Sequence, residues 1–316
     1  MNLAQQTYRG EEDFWEIRQF LRDVFLWNDR SQFSWTAARL DYWRWHVIAN
    51  CGAEPIETGT FLWRTGKGQL VSVLNREDPG HVYLQIDPRF RTSELETEMF
   101  DLAEEKLWAI GPSTGRPVVV TGVLEGDTLR ESILRERGYE PHPEGQAYDR
   151  YRDLTLPIPE IPMREGYIIR AMTLDDIPSR SWASWRAFHP DDPDEDYAGH
   201  DWLTSFMKAP MYRRDLDLIA VDQTGSVAAF CTIWYDDVTR SGYYEPVGTV
   251  PEHQRRGLCT ALLHEGMHRL AERGAIHACI GGGGAANPIA EGVYARAATY
   301  EESYIPWVKF LDGKPA

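Results

Sequence analysis

Along the first half of the chain, apolar positions keep two different rhythms. Phe14, Ile17, Phe20, Leu21 and Phe25 fall on one side of a helix over about residues 11–28. A run rich in Trp and Tyr predicts a second helix over 37–49, and a break follows at Cys51 to Pro55. Strand patterns occupy 60–63 and 70–74 around the turn Gly66-Lys67-Gly68, and a third fills 81–86 before Asp87-Pro88. Ser93 and Glu96 have the spacing of a capping box, which predicts a helix from there to about Trp108. A strand at 118–120 and a short helix over 127–137, closed by Gly138, complete this half.

The segment 156–162, Leu-Pro-Ile-Pro-Glu-Ile-Pro, reads as an extended linker, and beyond it the same order begins again. A strand at 167–170 leads through 174–177 into a helix containing Trp185 and Phe188. An acidic loop spans 189–196, and a helix runs from about Tyr197 to Met207. Strands at 216–221 and 227–234 form a hairpin around Gln223-Thr224-Gly225, and a third strand covers 243–250. After a polar loop a helix starts at about Leu258; a strand over 276–280, a helix over 289–297 and a strand over 305–310 follow. The halves share one plan, so the expected boundaries are 1–155 for a first domain, 156–163 for the linker and 164–316 for a second domain.

The most informative stretch joins the third strand of the second half to its helix: Val247-Gly248-Thr249-Val250, Pro251-Glu252-His253, then Gln254-Arg255-Arg256-Gly257-Leu258-Cys259-Thr260. Leu258, Leu262, Gly266 and Leu270 make one apolar face of the helix, and His264, Glu265, His268, Arg269 and Glu272 the polar one. A helix start preceded by two arginines and a glycine suits an anion. The first N–H groups have no partner inside the helix, the dipole makes that end positive, and glycine lets the backbone approach closely. Gln254-Arg255-Arg256-Gly257-Leu258-Cys259 resembles the acyl-CoA pyrophosphate loop of the GNAT superfamily of N-acetyltransferases, Gln/Arg-x-x-Gly-x-Gly/Ala, with Cys259 standing where Gly or Ala is usual.

The order of elements matches that superfamily too. The resemblance implies an α/β (α+β) protein of two tandem GNAT-like domains, each a mixed, mostly antiparallel twisted sheet flanked by helices. It implies acetyl-CoA as co-substrate, its pyrophosphate on Gln254, Arg255, Arg256, Gly257, Leu258, Cys259 and Thr260, and its pantetheine along residues 247–250 as far as Val250. Asn287 and Tyr294, with Ala290 between, resemble the family's Asn-x-x-Ala-x-x-x-Tyr, in which the Tyr protonates the departing thiolate. Ala297-Ala298-Thr299-Tyr300 replaces the Gly-Phe usual after it. For the base, Glu245 lies on the entering strand where several members hold a catalytic Glu. Tyr244 competes for that position, Pro246 signals a bulge, and a bound water is a further alternative.

The first half lacks this chemistry. Its corresponding loop, Pro88-Arg89-Phe90-Arg91-Thr92-Ser93, has no glycine, and Glu94, Glu96 and Glu98 follow it. Carboxylates there repel a pyrophosphate, so a structural role is expected for the first domain.

Composition narrows the choice. At 316 residues the chain has room for two domains of about 150 each. A net charge of −16 argues against general nucleic-acid binding, which relies on basic residues, and no apolar run approaches the roughly 18 residues of a membrane span. The first residues show no basic region followed by an apolar one, and Cys51, Cys231, Cys259 and Cys279 lack metal-ligand spacing. The expectation is a reduced cytoplasmic protein, monomer or homodimer, acting on a small-molecule amine without a metal. One competing motif stands in the helix after the loop: His264-Glu265-Gly266-Met267-His268 satisfies the zinc-hydrolase pattern H-E-x-x-H. Its position on a polar helix face, with Gly266 inside it and no third ligand pattern, favours a chance match. A non-catalytic acyl-CoA sensor is the other alternative.

Overall fold

The computed structural model describes residues 3–31, 33–162, 165–280, 288–311 and 313–314. They form two compact units: residues up to 148 together with those from 302 onward, and residues 149–280 together with 288–301.

The first unit begins with β1 (Leu3–Thr7) and α1 (Glu11–Trp27), then α2 (Ala37–Tyr42), which continues as a π-helical stretch Trp43–Ile48. A single turn, α3 (Ile56–Gly59), precedes β2 (Thr60–Thr65), β3 (Leu70–Arg76) and β4 (Val82–Ile86); β1 to β4 form an antiparallel sheet in sequence order. Then come α4 (Ser93–Lys106), β5 (Ala109–Ile110), β6 (Pro117–Leu124), α5 (Thr128–Glu136), β7 (Glu140–Pro141) and the start of β8 (Ala147–Asp153). Phe14, Ile17, Phe20 and Leu21 bury the predicted face of α1 against Leu62 and Val73, while Leu95, Met99, Phe100 and Ala103 of α4 pack on Trp63, Leu74 and Leu84. Each fully buried side chain of this kind contributes about 1.5–3 kcal/mol.

In the second unit β9 (Ile168–Ala171), α6 (Ile177–Phe188) and α7 (Asp201–Phe206) lead to β10 (Asp217–Val221), β11 (Val227–Asp236) and β12 (Ser241–Thr249). After α8 (Leu258–Glu272) come β13 (His277–Cys279), α9 (Pro288–Ala297) and β14 (Tyr300–Phe310). The strands β9 to β12 are antiparallel neighbours in sequence order; β13 runs parallel to β12 and is paired only along Ser241–Tyr243. Leu258, Leu262, Leu263, Met267 and Leu270 of α8 are buried on Ile233, Tyr244 and Ala278.

The units depart from the boundaries expected from the sequence. β8, closing the first half of the sequence, has Asp149–Asp153 in the second unit and pairs antiparallel with β13. β14, closing the second half, has all but its first two residues in the first unit, where it pairs with β6 from Tyr304↔Leu124 to Phe310↔Val118. Each unit is therefore finished by the last strand of the other half. Three local expectations also change. The N-cap of α4 is Thr92, whose Oγ1 accepts from Leu95 N–H at 3.2 Å, rather than Ser93 with Glu96. The helix expected over 197–207 is shorter, Asp201–Phe206. The last strand begins at Tyr300, directly after α9.

Candidate functional site

The loop between β12 and α8 is shaped by two left-handed residues. Pro251–His253 make one 3-10 turn, Arg255 takes φ +59°, and Gly257 takes φ +74° as the N-cap of α8. Glycine alone adopts that conformation without strain. No side chain caps α8, and its first helical bond runs from Ala261 N–H to Gly257 C=O at 3.1 Å. The N–H groups of Leu258, Cys259 and Thr260 are thus left without partners inside the helix. Gln254, Arg255 and Arg256 are exposed around this end, Arg256 donating to the Glu252 carbonyl at 3.2 Å and Gln254 to Thr249 at 3.5 Å. Val250 is buried beside them, its N–H bonded to Ala228 C=O. A helix end of this construction binds anions through backbone N–H groups and the dipole together.

Upstream, β12 carries the expected bulge. Cys231 opposes Val247 and Ile233 opposes Tyr244, so Thr232 alone faces Glu245 and Pro246. Tyr244 and Glu245, the two candidates for the base position, lie in different surroundings on either side of the bulge's start. Tyr244, 2% exposed, points into the core beneath α8, its hydroxyl 3.4 Å from Leu263 C=O. Glu245 is half-buried, and its carbonyl accepts from Trp234 Nε1 at 2.5 Å. Trp234 was not singled out by sequence reasoning; nothing in a strand pattern announces a bond to a bulge carbonyl.

Tyr294, on α9, packs against the core cluster that contains Leu258, Cys231 and Ala297. Burial pushes its phenol pKa well up, and the neighbouring Cys259, Glu245, Cys231 and Glu291 add to the rise. Cys259 and Tyr294 thus pack against one core cluster, and the phenol keeps its proton throughout the physiological range. Burial alone lifts the Cys259 thiol to about 12, so this residue stays a neutral small side chain at the helix start. Asn287, the remaining predicted contact, lies outside the described residues.

The H-E-x-x-H pair is otherwise engaged. His264 Nδ1 donates to Glu160 C=O at 3.0 Å and His268 Nε2 to Pro159 C=O at 3.1 Å, so both rings hold the linker against α8. Gly266 between them does not break the helix. A Cβ there would lie 2.3 Å from Ile233 Cδ1 and 2.8 Å from the Tyr244 hydroxyl, so the glycine lets α8 approach the sheet. Among the described residues no group of His, Cys, Asp and Glu is arranged to hold a metal ion.

A cleft of about 370 Å³ adjoins the loop on the α6 side, lined in part by Trp182, Arg186, Asp194, Asp222, Glu252 and His253. The acidic loop contributes only Asp194 to it, and Asp191 to Asp196 are all exposed.

The corresponding helix start of the first unit is filled from within. Glu96, fully buried in the first turns of α4, is held by Arg91 at 2.5 Å and Arg130 at 2.8 Å, and Arg91 also meets Asp127 at 2.7 Å. Burial pushes the Glu96 carboxyl up, but the two guanidiniums outweigh it and hold it below its ordinary value.

Comparison with known proteins follows this geometry. Residues 174–299 match the model of the acetyltransferase (GNAT) family. A GCN5-related N-acetyltransferase from Sphaerobacter thermophilus superposes with a TM-score of 0.64 at 19% identity, covering 98% of this chain and 95% of that one. A tandem GNAT protein from the clavulanic acid biosynthesis pathway gives a TM-score of 0.65 at 12% identity over the whole of both chains. A GNAT-family acetyltransferase from Colwellia psychrerythraea gives 0.60 at 14%, covering 98% and 100%. No curated protein matches the sequence.

Proposed function

We propose, from the match of residues 174–299 to the GNAT family model and the likeness in fold to a tandem GNAT protein, that this protein moves an acetyl group from acetyl-CoA to the primary amine of a small molecule by direct transfer. The observation that carries this reading is the helix start at α8: a left-handed Gly257 cap, N–H groups at Leu258 to Thr260 with no partner inside the helix, and no capping side chain. The pyrophosphate would lie on those N–H groups with Arg255 and Arg256 beside it. Among the described residues β12 pairs with β13 only along Ser241–Tyr243, and the pantetheine arm would run along the strand beyond that, over Val247–Val250.

The chemistry then divides between Glu245 and Tyr294. The amine nitrogen attacks the thioester carbonyl carbon, the carbon–sulfur bond breaks, and coenzyme A leaves as a thiolate. Glu245, directly or through a water, accepts the proton lost by the amine. Tyr294 returns one to the sulfur, its phenol being protonated at neutral pH. The acidic balance of the whole chain, −16, is compatible with a cationic or amine acceptor.

Titration calorimetry with acetyl-CoA tests the first step, and thiol release across a panel of polyamines, aminoglycosides, amino acids and peptide amines tests the second. Binding with acceptor-dependent release is expected; no heat with acetyl-CoA would sink the reading. Tight binding with no release from any amine, and none to water, would instead identify an acyl-CoA sensor. Tyr294→Phe should lower turnover by about 10²–10⁴-fold while acetyl-CoA affinity stays within twofold.

A further inference from the structure

The helix that carries Tyr294 is short. A helix of ten residues is marginal on its own, so its orientation depends on what it touches. Both of its ends are tied to the same strand, β8. At the near end Arg150 Nη1 meets Glu291 Oε2 at 2.5 Å, with the Arg150 side chain 6% exposed and that of Glu291 18%. Arg150 Nε also reaches Glu301 at 3.3 Å. At the far end Thr299 N–H donates to Tyr151 C=O at 2.7 Å, Asp153 N–H donates to Thr299 Oγ1 at 2.9 Å, and the Tyr151 and Tyr300 rings stack at 4.9 Å. β8 itself is fixed by its pairing with β13, including Ile280 N–H to Arg150 C=O at 2.7 Å.

Glu291 and Tyr294 are three apart and therefore neighbours on one helix face. A tie at Glu291 fixes the roll of the helix about its axis. A side chain reaching roughly 6 Å from the axis shifts by about 1 Å for each 10° of roll, and a 1 Å misplacement can cost about 10²-fold in rate. We propose that Arg150, supplied by the strand that closes the first half of the sequence, is a positioning residue for the Tyr294 hydroxyl, acting through Glu291. The first half of the chain thereby contributes to the acid step through Glu291. This rests on the acid role of Tyr294, and the test separates the two.

Glu291→Gln is the cleanest probe, because Arg150 keeps Glu301 as a partner. Single-turnover release of thiol from acetyl-CoA, with water as acceptor, is measured for Glu291→Gln, Arg150→Gln, Arg150→Lys, Tyr294→Phe and the Glu291→Gln/Tyr294→Phe double variant, alongside acetyl-CoA affinity and thermal midpoint. The expected result is a fall of about tenfold to a hundredfold in rate for Glu291→Gln and Arg150→Gln with acetyl-CoA affinity unchanged. Arg150→Lys should recover part of the rate, and Glu291→Gln should cost nothing further once Tyr294 is Phe. If Tyr294→Phe is slow but Glu291→Gln is not, or if the two losses multiply, the positioning role is wrong and the acid role stands. If Tyr294→Phe matches the parent, the acid role fails and this inference falls with it. Should Arg150→Gln unfold, the Glu291→Gln series alone decides.

Discussion

Two helices begin at the same place in the two halves of this chain, α4 after β4 and α8 after β12, and their first turns are opposites. The start of α4 is closed by Thr92 and holds a buried carboxylate, Glu96, between two arginines. The start of α8 is capped by a left-handed glycine, carries no side-chain cap, and keeps its arginines in solvent. A helix N-terminus attracts negative charge whatever its source. In the first unit the chain supplies that charge itself and gains rigidity. In the second no side chain caps the position, and in the proposed reading the pyrophosphate of acetyl-CoA supplies the charge. One fold can thus use the same electrostatic feature as a structural rivet or as a binding site, and the residues of a single turn decide which.

The contrast is most easily broken at the glycine. Gly257→Val forces a β-branched residue to φ +74°, which costs about 1–3 kcal/mol, and puts a side chain where the phosphate approaches. Acetyl-CoA affinity should fall by at least about a hundredfold, the equivalent of roughly 2.7 kcal/mol, with the protein still folded. Phe90→Val, the matching change in the first unit, should leave affinity intact. Calorimetry on both variants checks this; loss of binding in the Phe90 variant alone would put the site in the wrong half.

Much of this contrast is legible in the sequence, because it is local. Arg255-Arg256-Gly257 and the glycine-free Pro88–Ser93 loop each state their chemistry within six residues, and the apolar faces of α1 and α8 follow from spacing alone. What stays hidden depends on distant partners. β8 reads Ala-Tyr-Asp-Arg-Tyr-Arg-Asp, a polar run with no strand rhythm, yet Arg150, Tyr151 and Arg152 are buried because β13 and α9 meet them. The spacing of Ser93 and Glu96 imitates a capping box, but Glu96 turns to Arg91 and Arg130, one of which lies 34 residues away. Likewise the polar face of α8 gives no hint that His264 and His268 are occupied by a linker over a hundred residues earlier.

The rivet itself is the next place to sharpen the comparison. Glu96→Gln keeps the shape and removes the charge, leaving Arg130 and Arg91 largely buried without their shared carboxylate. Breaking a buried pair from one side costs about 3–5 kcal/mol, which denaturant unfolding of the first unit would register. The pH dependence has a definite sign. A carboxyl held below its ordinary value of 4.5 in the folded state contributes fully above that value, and the contribution fades as pH falls through the depressed one. The stability difference between parent and variant should therefore be flat near neutrality and shrink in acid. Acetyl-CoA affinity of the second unit should not change. A difference that grew as pH fell would mean that Glu96 is not ionised in the native state.

The smallest effect concerns the cap. Thr92 Oγ1 satisfies the Leu95 N–H at 3.2 Å, one of the N–H groups that a phosphate would need. Thr92→Ala removes that bond and should cost about 1 kcal/mol, the ordinary value of an N-cap. It should not create a phosphate site, because the buried Glu96 carboxylate still neutralises Arg91 and Arg130 and the loop still lacks a left-handed glycine. Thr92→Gly, which costs only a few tenths more than a good cap, tests the same point with the backbone freed. In both variants acetyl-CoA should bind with the parent's stoichiometry of one per chain, and inorganic pyrophosphate should find no new site. A second equivalent bound by either variant would show that the cap, and not the buried carboxylate, is what keeps the first unit closed to phosphate.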